Sequence, residues 1–263
     1  MKIKNLLMPT SLSDAAKLFS ESKNSAFIAG GTFLRLNSTE YDTVIDLSKL
    51  GLEYVKYQDD TVEIGAMTTL RHIEADKKLN EIFKNAFRYA LENIVGIQFR
   101  NIATIGGSIA AKLGFSEIIT VLITLDASIK MYNEEPVKIY DYITGKSSKH
   151  GLIEKIIVPI KELKFAYQTV RNTSTDIPEI ILSVAKYDDD IKIAVGARPA
   201  AARFAQKTMD FLMANEASKE NYEKASEIME EELAFGSDLR ATAEYRKTVS
   251  KSLLVKMLLE VTK

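Results

Sequence analysis

The sequence predicts an α+β fold rather than a regular doubly wound sheet, on three observations. Up to a boundary near residue 162, short apolar runs of strand length mix with helical patterns in no fixed alternation. Residues 165–171, 180–187 and 191–197 then read as three antiparallel strands, the last two joined by the turn signal Asp188-Asp189-Asp190. From residue 203 onward the apolar spacing is helical.

The elements follow in order. Ser11 or Ser13 caps a short helix over 14–20, in which Ala15, Leu18 and Phe19 share a face. Residues 26–29 form an apolar strand that runs straight into Gly30-Gly31, and 44–47 form a second buried strand. Residues 54–57 and 62–67 pair around the turn Asp59-Asp60. Thr69 caps a long helical region carrying Leu70, Ile73, Leu79, Ile82, Phe83, Phe87 and Leu91, with a break near 78–80. Residues 98–109 hold two glycines in an apolar setting and read as a packed loop. An apolar helix over 117–125 and strands over 128–132 and 152–159 complete this part. Past the boundary, helices over 203–213, 219–234 and 241–259 cover one face of the three-stranded sheet. In the last helix Val249, Leu253 and Met257 fit one stripe, and Leu253, Leu254, Leu258 and Leu259 read as core. Glu230-Glu231-Glu232 reads as a solvated face.

Composition narrows the chemistry. At 263 residues the chain fits two or three subdomains, because single cores stop growing near ~250 residues. Lys+Arg 35 against Asp+Glu 36 leaves no basic excess to attract nucleic acid or anionic lipid. There is no cysteine, which excludes disulfides and thiolate-held iron–sulfur or zinc sites on this chain. Two histidines, His72 and His150, are too few for a His-rich metal site and read as surface residues. The start of the chain lacks an apolar run of signal-peptide length, and no stretch approaches the ~20 apolar residues that span a bilayer, so a soluble cytoplasmic protein is expected.

Two segments carry the candidate chemistry. In Phe27-Ile28-Ala29-Gly30-Gly31-Thr32-Phe33-Leu34 a buried strand ends in two glycines and a hydroxyl residue. Glycine permits positive φ and close backbone approach, and successive N–H groups can form an anion-binding concavity. Arg100-Asn101-Ile102-Ala103-Thr104-Ile105-Gly106-Gly107-Ser108-Ile109 repeats the grammar, with hydroxyls at Thr104 and Ser108. Two facing nests could cradle the two phosphates of a dinucleotide. A single glycine pair after a strand is more often a plain turn. Neither a G-x-G-x-x-G nor a P-loop motif is present. Spacing alone therefore leaves a structural turn and a nucleotide site both open.

The joint occurrence of Ala29-Gly30-Gly31-Thr32 and 100–107 resembles the paired flavin-binding signatures of the FAD subunits of molybdenum hydroxylases, the xanthine dehydrogenase and carbon monoxide dehydrogenase type. Leu125-Asp126-Ala127, the strand 152–159 ending in proline, and Ser237 to Leu254 with Asp238-Leu239-Arg240-Ala241 and Glu244-Tyr245-Arg246 extend the likeness over nearly the whole chain. The resemblance implies a two-part FAD-binding domain of the vanillyl-alcohol-oxidase (PCMH) type, residues 1–55 and 56–161. A small antiparallel sheet with C-terminal helices follows over 162–263. It assigns Ala29, Gly30, Gly31, Thr32, Phe33 and Leu34 to the FAD pyrophosphate. Thr104, Ile105, Gly106, Gly107 and Ser108 are assigned to the diphosphate and ribityl parts. Ile94 packs near the cofactor, Glu117 takes the place of a family aspartate, and Ile153 offers a backbone contact. Ser108 stands where the family commonly has Asn or Asp, Gly114 where it has proline, and Gln168 or Tyr167 where it has lysine.

By the same resemblance the molybdenum cofactor lies on a large partner subunit and two 2Fe-2S clusters on a small one. Electrons reach FAD on this chain and leave to NAD or another acceptor. The missing cysteines agree with that division of labour. No general acid or base is assigned. Asp126 reads as a helix end, and Arg171 as a surface partner of Asp176. Two other readings stay open: a scaffold that has lost flavin, and a flavin oxidoreductase acting alone.

Overall fold

The structure, a computed structural model, describes residues 1–148 and 150–263; Lys149, in the polar run 146–150 that ends at His150, lies outside the described residues. The chain opens with β1 (Lys2–Leu7), α1 (Leu12–Glu21), β2 (Ser25–Ile28), a 3-10 turn (Leu34–Leu36) and β3 (Glu40–Asp46). The three strands form a parallel sheet in the order β1-β3-β2. Helix α1 starts at Ser11, whose hydroxyl accepts the Asp14 N–H at 3.1 Å. Its apolar face, Ala15, Leu18 and Phe19, packs with Ile45 and Leu47 of the central strand and its exit.

The middle of the chain runs β4 (Val55–Tyr57), β5 (Thr61–Gly65), α2 (Leu70–Ala75), α3 (Lys77–Ile82), α4 (Ala86–Leu91), α5 (Ile97–Arg100), α6 (Ile105–Ala110) and α7 (Glu117–Thr124). It continues with β6 (Ser128–Met131), β7 (Val137–Lys138), α8 (Ile139–Ile143) and β8 (Ile153–Pro159). Its antiparallel sheet has the order β4-β5-β8-β6-β7. The helical region that begins at Thr69 breaks at different places from the one expected. Asp76 ends α2 and caps α3, accepting the Leu79 N–H at 2.9 Å, and Lys84 and Asn85 turn the chain with φ of 51° and 61° before α4. Residues 98–109 are not a loop: they contain the end of α5 and nearly all of α6.

The last part comprises β9 (Lys164–Val170), β10 (Ile180–Lys186), β11 (Ile191–Gly196), β12 (Arg203–Phe204), α9 (Gln206–Ala214), α10 (Lys219–Glu232) and α11 (Ala243–Val261). The antiparallel sheet has the order β12-β11-β10-β9, so a short fourth strand occupies what the sequence assigned to the start of a helix. Helix α9 begins only after it, where Glu232 accepts the N–H groups of Lys207 and Thr208 at 2.8 and 3.0 Å. Glu230 pairs with Lys247 and Lys251 on α11. Two members of the acidic run thus tie helices together instead of forming a purely solvated face. The buried stripe of α11 is Arg246, Ser250, Leu254, Met257, Leu258 and Val261, with Val249 and Leu253 of the predicted stripe half-buried at its side. The Arg246 guanidinium donates to the Glu179, Gly236 and Ala241 carbonyls and to Asp238.

Helix α7 joins the parts. All eight of its residues are buried. It meets α4 as well as β10 and β11, so the large core around Leu91, Ile119 and Leu122 runs on to Ala185 and Ala194 of the last sheet. Thr124 Oγ1 lies 2.8 Å from Ser183 Oγ, and the Tyr187 hydroxyl donates to the Thr124 carbonyl at 2.9 Å. Helix α11 closes the opposite face of that sheet over Leu182, Val184 and Ile193.

Candidate functional site

A cleft of about 630 Å³ lies where the chain leaving β2, the loop before α5, one face of α6, the start of α7 and residues 175–178 meet. That volume is of the size that holds a large organic ligand. Along α6 and its ends the lining residues are Thr104, Gly107, Ser108, Ala110 and Ala111, a wall of small side chains that lets a flat ligand lie close to the backbone.

The first glycine pair builds one end. Gly31 has φ +65°, a left-handed conformation that glycine adopts without strain. A Cβ on Gly30 would stand 1.8 Å from the Ile102 carbonyl oxygen, so only glycine lets this loop settle on the 102–103 backbone. The Gly31 carbonyl is held by the Arg35 N–H and Nε–H at 3.2 and 3.1 Å. Among the described residues, none accepts a hydrogen bond from the N–H groups of Gly30, Gly31, Thr32, Phe33 or Leu34. These residues all line the cleft, as does Ala29. A run of unspent amides beside a cavity suits an anion.

The second pair is built differently. Thr104 caps α6, and its hydroxyl accepts the Gly107 N–H at 3.2 Å. The Ile105, Gly106 and Ser108 amides donate to the carbonyls of Thr68, Ala66 and Thr104 at 3.1, 2.9 and 3.0 Å. All four amides are spent, so this segment forms no second nest as it stands. Its glycines serve packing: a Cβ on Gly106 would meet Ala66 at 2.7 Å. Thr104, Gly107 and Ser108 line the cleft; Ile105 and Gly106 lie behind its wall.

Residues 2–161 match the model of the FAD binding domain in molybdopterin dehydrogenase, and residues 183–261 match the CO dehydrogenase flavoprotein C-terminal domain. The chain belongs to this family of FAD-binding domains. The family match accounts for the pairing of an FAD domain with a C-terminal sheet and helices. Among its relatives, the uncharacterized protein YgfM of Escherichia coli K12 is 27% identical over 96% of this chain and 94% of its own length. The glyceraldehyde dehydrogenase medium chain of Sulfolobus acidocaldarius is 28% identical over 95% of each chain. A chain of the carbon monoxide dehydrogenase from Hydrogenophaga pseudoflava, in a structure lacking the Mo-pyranopterin moiety of the molybdenum cofactor, shares the fold, with a TM-score of 0.91 at 20% identity over 100% of this chain and 98% of that one.

The residues of the cleft fit the family's cofactor. Free amides offer a diphosphate donors that need no cation, and the cleft's apolar residues, Phe27, Ile94, Phe99, Phe115 and Ile118 among them, suit flat ring systems. Glu117 also lines the cleft, at the first turn of α7 after the cap Ser116. Its carboxylate is not free, however, and is 4% exposed: Glu117 Oε2 accepts from Arg171 Nη2 and from the Tyr167 hydroxyl, each at 2.6 Å. Burial pushes the Glu117 carboxyl above its ordinary range against the pull of Arg171 and Tyr167, and burial beside that carboxylate pushes the Tyr167 phenol well up. Arg171 is therefore not a surface partner of the Asp176 side chain. Its Nη1 donates to the Asp176 backbone carbonyl at 3.1 Å, which holds the cleft-lining segment 175–178 in place. Sequence reasoning missed this arrangement because its members lie 50 and more residues apart.

Of the other expected residues, Ile94 lines the cleft. Ile153 sits on β8, buried in the large core, and is not among the lining residues. Asp126 ends α7 with φ 57° and pairs with Lys138 at 2.8 Å. Among the described residues there is no cluster of His, Asp or Glu that could hold a metal ion, and no helix is long and apolar enough to cross a membrane.

Proposed function

We propose that this chain is the flavin-bearing electron-transfer subunit of a heteromeric molybdenum hydroxylase in the cytoplasm. In this reading a large subunit holds the molybdenum cofactor and a small one holds 2Fe-2S clusters, and electrons pass through this chain to NAD or another acceptor. The "medium chain" designation of the Sulfolobus relative supports an assembly of this kind. The single observation that carries the reading is the row of unspent amides from Gly30 to Leu34 at one end of a cleft of about 630 Å³.

The flavin ring, when bound, supplies the storage of two electrons and their release singly or as a hydride. The chain's own residues bind and orient. Ala29 to Leu34 cradle the pyrophosphate through main-chain N–H groups, with the Thr32 hydroxyl as a further donor. Thr104, Gly107 and Ser108 form the wall along the ribityl part, with Ile105 and Gly106 supporting that wall from behind. Ile94 packs against the nucleotide. Residues 1–55 and 56–161 make up the two parts of the FAD domain, and 162–263 braces it through α7. Glu117 and Ile153 act as framework here rather than as direct ligands.

The test is direct. The purified chain, alone or in its complex, takes up added FAD, shows a bound-flavin absorption band and releases FAD on denaturation. A folded chain that stays colourless in excess FAD defeats the proposal. Copurification with cysteine-rich and molybdenum-bearing subunits supports the assembly, whereas full turnover by the lone chain contradicts it.

A further inference from the structure

Arg100 heads the second glycine signature. The residue is 4% exposed and does not line the cleft. Nε and Nη2 donate to the two carboxylate oxygens of Glu74 at 2.7 and 3.2 Å, the paired geometry that fixes a guanidinium most firmly. Burial alone would raise the Glu74 carboxyl, but Arg100 and Arg71 together hold it below the usual carboxylate range, so the anchor stays charged. The remaining arm, Nη1, donates to the Ile94 carbonyl at 2.9 Å. All three guanidinium nitrogens are thus engaged within the chain.

The next residue is Val95, with φ +50°. A β-branched side chain in the left-handed region is a genuine outlier and persists only where its surroundings over-determine it. The surroundings here are few. The Ile94 N–H donates to Leu91 at 3.0 Å, the Arg100 N–H donates to the Gly96 carbonyl at 3.1 Å, and Arg100 Nη1 grips the carbonyl just before the strained residue. Val95 itself is 53% exposed, so packing does not hold it. Asn93, Ile94 and Val95 all line the cleft.

We propose that Arg100 is a positioning residue: anchored on Glu74, it holds the turn 93–96 in its strained form and so presses Val95 against the bound nucleotide. The proposal rests on the reading of the cleft as an FAD site. Strain of this kind is kept at ligand clamps, where it sets a wall that an unstrained turn would leave open.

The test uses the purified full chain as wild type, Arg100→Lys, Val95→Gly and the double variant. Lysine keeps a charge for Glu74 but cannot also reach the Ile94 carbonyl. Glycine removes the strain and with it the need for a clamp. Without FAD, amide hydrogen exchange at 94–97 is expected to rise about tenfold in Arg100→Lys relative to the rest of the chain, the scale of one buried charge-assisted hydrogen bond. With FAD, release followed by flavin fluorescence is expected to be about tenfold faster in Arg100→Lys, and the lysine change is expected to add little in the Val95→Gly background. Exchange at 94–97 equal to wild type overturns the proposal. So does unaltered release from Arg100→Lys, or an equal acceleration in both backgrounds. If Arg100→Lys melts early, Glu74→Gln, which keeps an acceptor but loses the charged anchor, is held to the same exchange criterion. A wild type that binds no FAD removes the flavin reading, while the exchange arm still decides whether Arg100 holds the turn.

Discussion

Replacing Gly30 by alanine should abolish tight FAD binding while leaving the rest of the fold standing. The added Cβ would lie 1.8 Å from the Ile102 carbonyl oxygen and 2.7 Å from its carbon, against an ordinary contact of 3.4 Å or more. Both neighbours are backbone, so neither can swing aside, and the loop must retreat by roughly 1.6 Å. A retreat of that size takes the following amides beyond hydrogen-bond reach of a phosphate held against α6. Losing two charge-assisted hydrogen bonds, each worth about 1.5–3 kcal/mol, weakens binding by at least ~3 kcal/mol, or more than about 100-fold in Kd. Titration with FAD, followed by quenching of flavin fluorescence, measures this. Gly107→Ala is the milder comparison: its Cβ meets only the Thr104 hydroxyl, at 3.0 Å, which must give by a few tenths of an ångström. That variant should keep the fold and weaken FAD binding by less than Gly30→Ala does, because one side-chain hydroxyl yields more easily than backbone. Gly30→Ala binding FAD within a factor of about two of wild type would refute the amide-cradle argument.

Other outcomes follow from the buried charges. Arg171→Leu strands the Glu117 carboxylate, and removing one partner of a buried pair costs about 3 kcal/mol or more, a melting temperature lower by roughly 5–10 °C in a differential scan. In that variant the folded-state carboxyl is raised above its unfolded value, so the folded chain binds the extra proton. The deficit should shrink as pH falls and grow as pH rises; a pH-independent deficit would contradict this origin. Asp238 shows the opposite sign. Arg246 holds its carboxyl down to about 2, with backbone N–H groups of Arg240 and Ala241 adding to the effect. Its stabilisation is complete above the unfolded carboxyl range and is lost as pH falls toward about 2, so Asp238→Asn should flatten the acid limb of a urea-melt series.

Much of the frame was legible because strands announce themselves as apolar runs between turn signals. The runs at 26–29, 44–47, 152–159 and the three past residue 162 each correspond to a strand within a few residues at either end. Strand β12 was not legible: two residues carry no period, and their strand character comes from the ladder offered by β11. The two glycine pairs look alike in sequence and differ in space. Gly31 is a left-handed turn, whereas Gly106 and Gly107 open a helix. A signal for that helix existed, since Thr104 stands three residues ahead of Gly107 as an N-cap does. The clamps on Glu74 and Glu117 join residues 26 and 54 positions apart, a distance at which no local pattern operates.

Helix α7 has no outside. It faces α4 on one flank and the strands β10 and β11 on another, and every one of its residues is withdrawn from water. A rod of this kind belongs equally to both of its neighbours, so neither can be exchanged for that of a distant cousin unless the grooves on both flanks are matched together. Inheritance of the cofactor half and of the tail half is mechanically linked, and sequence drift in Ala185 or Ala194 is answerable to Val121 and Leu122 as much as to its own strand.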